Sequence, residues 1–223
     1  VPPAPVPSPS GAKISLSLIA DNGAAVNSVV SVAVPFPPGA LMHPERLTLK
    51  NDKNIEVATQ NLLLASWPQD KSVRSVVLIF RLSLAANAKL QYTISYNQTK
   101  TVASLTGLTP NPDGPVVGLL PDTWYSTSLV SGLLQPARLN TQFSSYETNI
   151  RNNLFNMSPA YDTYKVNCAS TTSHRSYYDG PHGMYQLFLR TSDATIFRRA
   201  RQEAIWYRAT ELLWVQNRKM AVH

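Results

Sequence analysis

Histidine, arginine and tyrosine are concentrated in one stretch of the chain, His174-Arg175-Ser176-Tyr177-Tyr178-Asp179-Gly180-Pro181-His182. An arginine can grip a carboxylate with two parallel N–H bonds, and an imidazole changes charge near neutral pH. Arg175 against an acidic ligand, with His174 or His182 carrying a proton and Tyr178 beside them, is the sharpest chemistry these residue types allow. The competing reading is a polar, aromatic surface loop. It ranks ahead on sequence grounds, because four histidines scattered through the chain define no geometry.

Trp67 and Arg74 form a second candidate pair. An aromatic face suits the apolar side of a pyranose, which would make Trp67 a stacking platform, and Arg74 is named with it as a substrate-binding candidate. A tryptophan before proline where a strand begins is more often a rim-packing residue, and that role is preferred for Trp67. Metal chemistry has no support: His43, His174, His182 and His223 lack zinc-ligand spacing, and the acids form no calcium loop. Cys168 is the only cysteine, which excludes an intrachain disulfide. Neither a Gly-rich phosphate loop nor a Gly-x-Ser-x-Gly elbow is present. No metal or other cofactor is expected.

The charge balance narrows the partners. The 223 residues carry a net +7, and from Arg175 onward eight Lys/Arg face four acids, so +4 of that excess lies in the tail. An excess of this sign favours polyanions, whether nucleic acid, anionic lipid or acidic polysaccharide, although from net charge alone general solubility is the preferred reading. Arg198, Arg199, Arg201 and Arg208 share one helical segment, but no recognised nucleic-acid motif accompanies them, which weighs against nucleic acid. No apolar run reaches membrane-spanning length, since the longest, Val76 to Phe80, is strand-sized. A start at Val1 without methionine leads to the expectation of a processed N-terminus, with an extracellular or cell-surface location.

The elements that must position these residues read mainly as strands. Lys13–Ala20 and Leu90–Tyr96 alternate apolar and polar residues with period two, the mark of a half-buried strand. Val26–Val34 stops at Pro35-Phe36-Pro37-Pro38-Gly39. Arg46–Leu49 and Ile55–Val57 flank a polar turn and predict a hairpin, and Asn61–Trp67 and Val73–Leu84 follow. Further strands are expected at Val116–Leu120, Trp124–Leu134 and Arg138–Phe143, with the turn-dense Thr101–Val117 wrapping the domain. Val1–Ser10 is a Pro-rich extended arm or linker, or an arm that docks on a neighbouring copy. From Pro181 the period becomes helical: Met184, Leu187 and Phe188, then a helix capped at Ser192 or Asp193 and running to Asn217. Its apolar stripe is Ile196, Phe197, Ala200, Ala204 and Tyr207, with the arginines largely off it. The aromatic faces formed by Phe188, Phe197, Trp206, Tyr207 and Trp214 need a partner, and another chain is one candidate.

The stretch from Val26 to Tyr96 resembles the N-terminal RIFT-barrel domain of secreted polysaccharide-lyase-like proteins related to exo-acting rhamnogalacturonan lyases. The residues that carry the resemblance are Pro35-Phe36-Pro37-Pro38-Gly39, Gln60, and Trp67 to Arg74. The family pattern for the last is Trp-Pro-Asp-Gly-Ser-x-Arg-Trp. Here the Asp-Gly turn has become Gln69-Asp70-Lys71, and Ser75 stands for the second tryptophan. Tyr178 to Leu213 resembles the opening of the α/α toroid that follows in such proteins, with Arg190-Thr191-Ser192-Asp193 where the family tends to have Arg-Thr-Gly-Asp. The resemblance makes Arg190 a further substrate-binding candidate and implies lyase roles for His174, Arg175, Tyr178 and His182.

The expectation is a mainly β fold, a small RIFT-type β-barrel or sandwich followed by a C-terminal helix pair. The boundaries are an arm at 1–12, the β domain at 13–148, a loop at 149–176 and a helical segment at 177–223. The expected function is an extracellular carbohydrate-associated protein that binds acidic polysaccharide, resembling the non-catalytic front of a polysaccharide lyase. A complete toroid needs several more helix pairs than this sequence carries, so catalysis is not expected of this chain alone. The alternative is a structural subunit of a surface filament or virion, a homo-oligomer joined through the Pro-rich arm and the aromatic helices.

Overall fold

The computed structural model describes residues 12–111, 114–152, 180–210, 214–216 and 219–221. The chain forms two compact units, Val1–Gln135 and Pro136–His223.

The first unit is β. Five strands pair antiparallel in the order β4-β3-β7-β1-β8: β1 is Lys13–Ala20, β3 Leu47–Lys50, β4 Glu56–Val57, β7 Lys89–Tyr96 and β8 Val116–Leu119. Three more form a second sheet, β2-β6-β5, from Val26–Pro35, Val73–Leu84 and Thr59–Ser66. The alternation in the sequence explains the layering. Ile14, Leu16, Leu18 and Ala20 of β1 are buried, as are Val30, Val32 and Val34 of β2 and Val76, Leu78, Phe80, Leu82 and Leu84 of β6. Rings from the two sheets meet in this core, Phe80 lying 6.1 Å from Tyr92.

The sheets approach closure at two seams without a continuous ladder. At one, β8 lies against β2; a methyl on Gly118 would meet Val32 Cγ2 at 2.7 Å, so only glycine permits this approach. At the other, the Asn61 side chain on β5 donates to Pro44 O (2.8 Å) and to Leu47 O at the start of β3 (2.9 Å). Side-chain bonds stand where strand pairing is missing. The result is a two-sheet sandwich.

Three sequence expectations change. Trp124–Leu134 is not a strand: helix α1 occupies Asp122–Thr127 and turns follow. Trp124 and Tyr125 have strand-favouring side chains, but tertiary partners override that preference. Tyr125 is buried, its hydroxyl accepts the Leu120 amide (3.2 Å), and burial pushes its pKa to about 12. Arg138–Phe143 is turn rather than strand, leading into helix α2 at Ser144–Ile150. The last helix stops at Thr210 rather than Asn217, and a two-stranded pairing of β9, Trp214–Gln216, with β10, Lys219–Ala221, follows it.

The second unit is built around helices α3, Gly180–Thr191, and α4, Ala194–Thr210. Asp193 caps α4, its Oδ1 accepting the Thr195 amide at 2.8 Å. Residues 136–148, assigned to the β domain from sequence, group with these helices. Arg190 is the cause: its backbone O accepts the Ala137 amide (2.9 Å), its Nη2 donates to Asn140 O (2.9 Å), and its Nε pairs with Glu147. Arg199, placed by periodicity off the apolar stripe, is buried and paired with Glu203 at 2.7 Å.

Candidate functional site

The Pro35–Gly39 and Trp67–Arg74 segments meet at one corner. Leaving β2, the chain turns at Pro37-Pro38-Gly39, where Gly39 has φ 74°, a left-handed conformation suited to glycine. The turn before β6 locks onto it. Phe36 N donates to Arg74 O (2.9 Å), Val73 N to Leu41 O (2.7 Å), and Gly39 N to the Ser72 hydroxyl (2.9 Å). Ser72 is fully buried and in turn donates to Asp70 Oδ1 from both its hydroxyl (2.7 Å) and its amide (2.9 Å). Those bonds, the hydroxyl first, hold the Asp70 carboxyl below its usual pKa.

Trp67 closes the corner. Its indole N–H donates to Phe36 O (2.9 Å), and its backbone accepts the Lys71 amide and donates to Ser72 O. The Arg74 guanidinium lies 4.9 Å from the Trp67 ring centroid, within cation–π range. Trp67 is half-buried, while Arg74 and Lys71 are exposed. Among the described residues no carboxylate pairs with Arg74. The turn therefore binds its acid to Ser72 and leaves Lys71 and Arg74 exposed, with Arg74 over the aromatic ring. Lys71, at φ 61°, takes a left-handed backbone conformation that a side chain rarely adopts. Sequence reading counted Lys71 only as part of a broken turn and missed it as an outward cation. A basic residue forced into a glycine-type turn position was the available signal.

A second concavity, a cleft of ≈ 340 Å³, lies beside β5 and is lined by Glu45, Gln60, Leu62, Lys100, Leu105 and Thr106 among others. Its polar groups are largely committed. Lys100 Nζ donates to Thr59 O (3.0 Å), Thr59 Oγ1 (2.9 Å) and Ser104 Oγ (3.1 Å), which uses all three ammonium hydrogens. Burial lowers the Lys100 pKa, opposed by the Glu56 carboxylate. Gln60 donates to Leu108 O and accepts from Leu108 N, both at 2.8 Å. With these donors spent, the cleft is the poorer place to orient an anionic ligand.

The remaining sequence candidates are dispersed. His174, Arg175 and Tyr178 lie outside the described residues. His182 is exposed on α3, with its Nε2 2.8 Å from Gln186 Nε2. Arg190 is 7% exposed and is held by Glu147, Asn140 O and the Phe143 ring, so its role is to join α3 to the 136–150 segment rather than to face a ligand. Phe188 and Phe197 pack on each other with centroids 5.0 Å apart, and Tyr185 adds an edge at 6.3 Å. Trp206 and Tyr207 belong to α4 and Trp214 to β9, but their side chains lie outside the described residues.

Among the described residues no group of three His, Cys, Asp or Glu is placed to hold a metal ion. No helix among them is long and apolar enough to cross a membrane. No protein-family model matches the chain, and a search of curated proteins finds no match.

Proposed function

We propose that this is an extracellular carbohydrate-associated protein whose β unit binds acidic polysaccharide at the Trp67–Lys71–Arg74 corner, without catalysing its cleavage. The observation that carries the reading is the exposed Arg74 guanidinium stacked on a tryptophan that is itself anchored through its indole N–H. A guanidinium prepositioned on a ring loses little freedom when it meets a carboxylate. The ring and Lys71 extend that contact, and the chain's +7 charge supports capture of a polyanion. The resemblance of this corner to the front of polysaccharide-lyase-like proteins points to uronic polymers.

The aromatic-helix assembly expected as the alternative has less to work with. Phe188 is buried and packs on the half-buried Phe197.

The test is binding of the full chain to polygalacturonate and to an uncharged polysaccharide at low and high salt. Binding is expected for the acidic polymer only, and Arg74→Ala with Lys71→Ala should weaken it by about tenfold or more. Absence of binding, or equal binding by the double variant, would overturn the proposal. Ultraviolet absorbance from an unsaturated product should stay at background, and a rise would show lyase activity instead.

A further inference from the structure

Arg46 is a second exposed arginine that the fold sets at a fixed distance from the Trp67 corner. Asn61 Nδ2 donates to Pro44 O and Leu47 O, which ties the short helical turn Pro44–Arg46 to the middle of β5. Asn61 lies five residues along β5 from Ser66, and Ser66 registers with Val73, the residue before Arg74. At the rise of a strand that separation is roughly 17 Å. The connecting chain agrees with it. Val73 N donates to Leu41 O, and the five residues from Leu41 to Arg46 span at most about 17 Å. The segment after β7 holds both ends of this connection, Asn97 Nδ2 donating to Ala40 O (2.9 Å) and Gln98 N to Arg46 O (3.1 Å).

The acids beside the two arginines are held by other groups. Glu45 lies 3.4 Å from His43 Nδ1, and Asp70 accepts the Ser72 hydroxyl and amide. Among the described residues neither Arg46 nor Arg74 has an ion pair. Met42, 50% exposed, lies on the segment between them and offers apolar surface to a sugar ring. We infer that Arg46 is a second carboxylate subsite for the same polysaccharide, so that the protein grips an internal run of uronates at Arg74 and again at Arg46. This inference rests on binding at the Trp67 corner. Each guanidinium can take a carboxylate through two parallel N–H bonds. Once one carboxylate is held, the second contact is intramolecular and adds affinity only if the ligand reaches it. The ligand is therefore a linear, unesterified polyuronate several sugars long, and a disaccharide engages one subsite at a time.

Affinities of the full chain for polygalacturonate and digalacturonate test this, with the Trp67 indole N–H resonance reporting the corner. Arg46→Ala should weaken polygalacturonate binding by about tenfold or more and leave the digalacturonate midpoint at Trp67 unchanged. Arg46→Lys keeps the charge without the planar fork and should recover only part of the loss. Arg74→Ala should weaken both ligands. Lys89→Ala is the control for net charge: Lys89 is exposed and registers with Ile19, six residues along β1 from Lys13 at the Tyr96 end. It should leave both affinities unchanged. Polymer binding indifferent to Arg46→Ala, equal losses from Arg46→Ala and Lys89→Ala, or equal affinity for single-stranded DNA would overturn the inference and leave the corner in place. Absence of binding to either sugar ligand would overturn the corner reading, and this inference with it.

Discussion

Gln60 and Leu108 are joined by two bonds of 2.8 Å, the side-chain amide of one donating to and accepting from the backbone of the other. The pair works like a rung of a sheet ladder made by a side chain. It anchors a strap that continues to Asn111, whose amide donates to Ser31 Oγ on β2 (2.9 Å). Gln60 and Ser31 both register with Ile79 of β6, so the strap crosses the outer face of the three-stranded sheet above that fully buried isoleucine.

Gln60→Glu should therefore cost more than its isosteric shape suggests. It replaces the donor with an oxygen facing Leu108 O and leaves that carbonyl short of a partner, a loss of about 1–3 kcal/mol. Urea unfolding measures the loss, and faster amide exchange at Leu108 should locate it in the strap.

Acid should loosen the Trp67 corner through Asp70. Its folded pKa lies below the ordinary carboxyl value of 3.8, so the stabilisation is fully present above that value and is lost as pH falls through the folded pKa. Asp70→Asn should flatten the stability–pH curve below about pH 4. Denaturant midpoints between pH 5 and pH 2 compare the two proteins, and parallel curves would count against this account.

Ser192, between α3 and α4, has φ 52°. Glycine adopts that conformation without the Cβ penalty. Ser192→Gly should stabilise the helical unit by about 0.5–1 kcal/mol, read as a rise in thermal midpoint. A fall would show that the serine hydroxyl is worth more than the strain.

Gly118→Ala should push β8 away from β2, since the added methyl would lie 2.7 and 2.8 Å from the two Val32 γ-carbons. A cost of about 1–3 kcal/mol is expected, and Val32→Ala on the same chain should recover part of it. Additive losses would show that the seam is not where the strain arises.

Glu147→Gln should destabilise by about 1–3 kcal/mol, because the Arg190 guanidinium, 8% exposed, loses the carboxylate at its Nε. Pairing it with Arg190→Met should recover most of that loss if the bridge is structural. Acidic-polysaccharide binding by the folded double variant should match the parent.

What the sequence determined by itself was local. Period-two alternation in KISLSLIA and LQYTISY is a property of adjacent residues, and it fixed both the strands and the faces they bury. The mainly β class followed, and so did the helix pair, from Met184, Leu187, Phe188 and the stripe that begins at Ile196. Trp67 and Arg74 could be named as candidates from type and spacing alone. Only the tertiary structure decided what lies across long separations. It placed the guanidinium of Arg74 on Trp67, buried Arg190 against Glu147, and grouped residues 136–148 with the helices. It also made a helix of Asp122–Thr127, because the burial of Tyr125 and its bond to Leu120 outweigh strand propensity. Each of those outcomes depends on partners that local periodicity cannot identify. The register shifts at Leu63–Ser66 belong with them, since they become visible only when the neighbouring strand is in place.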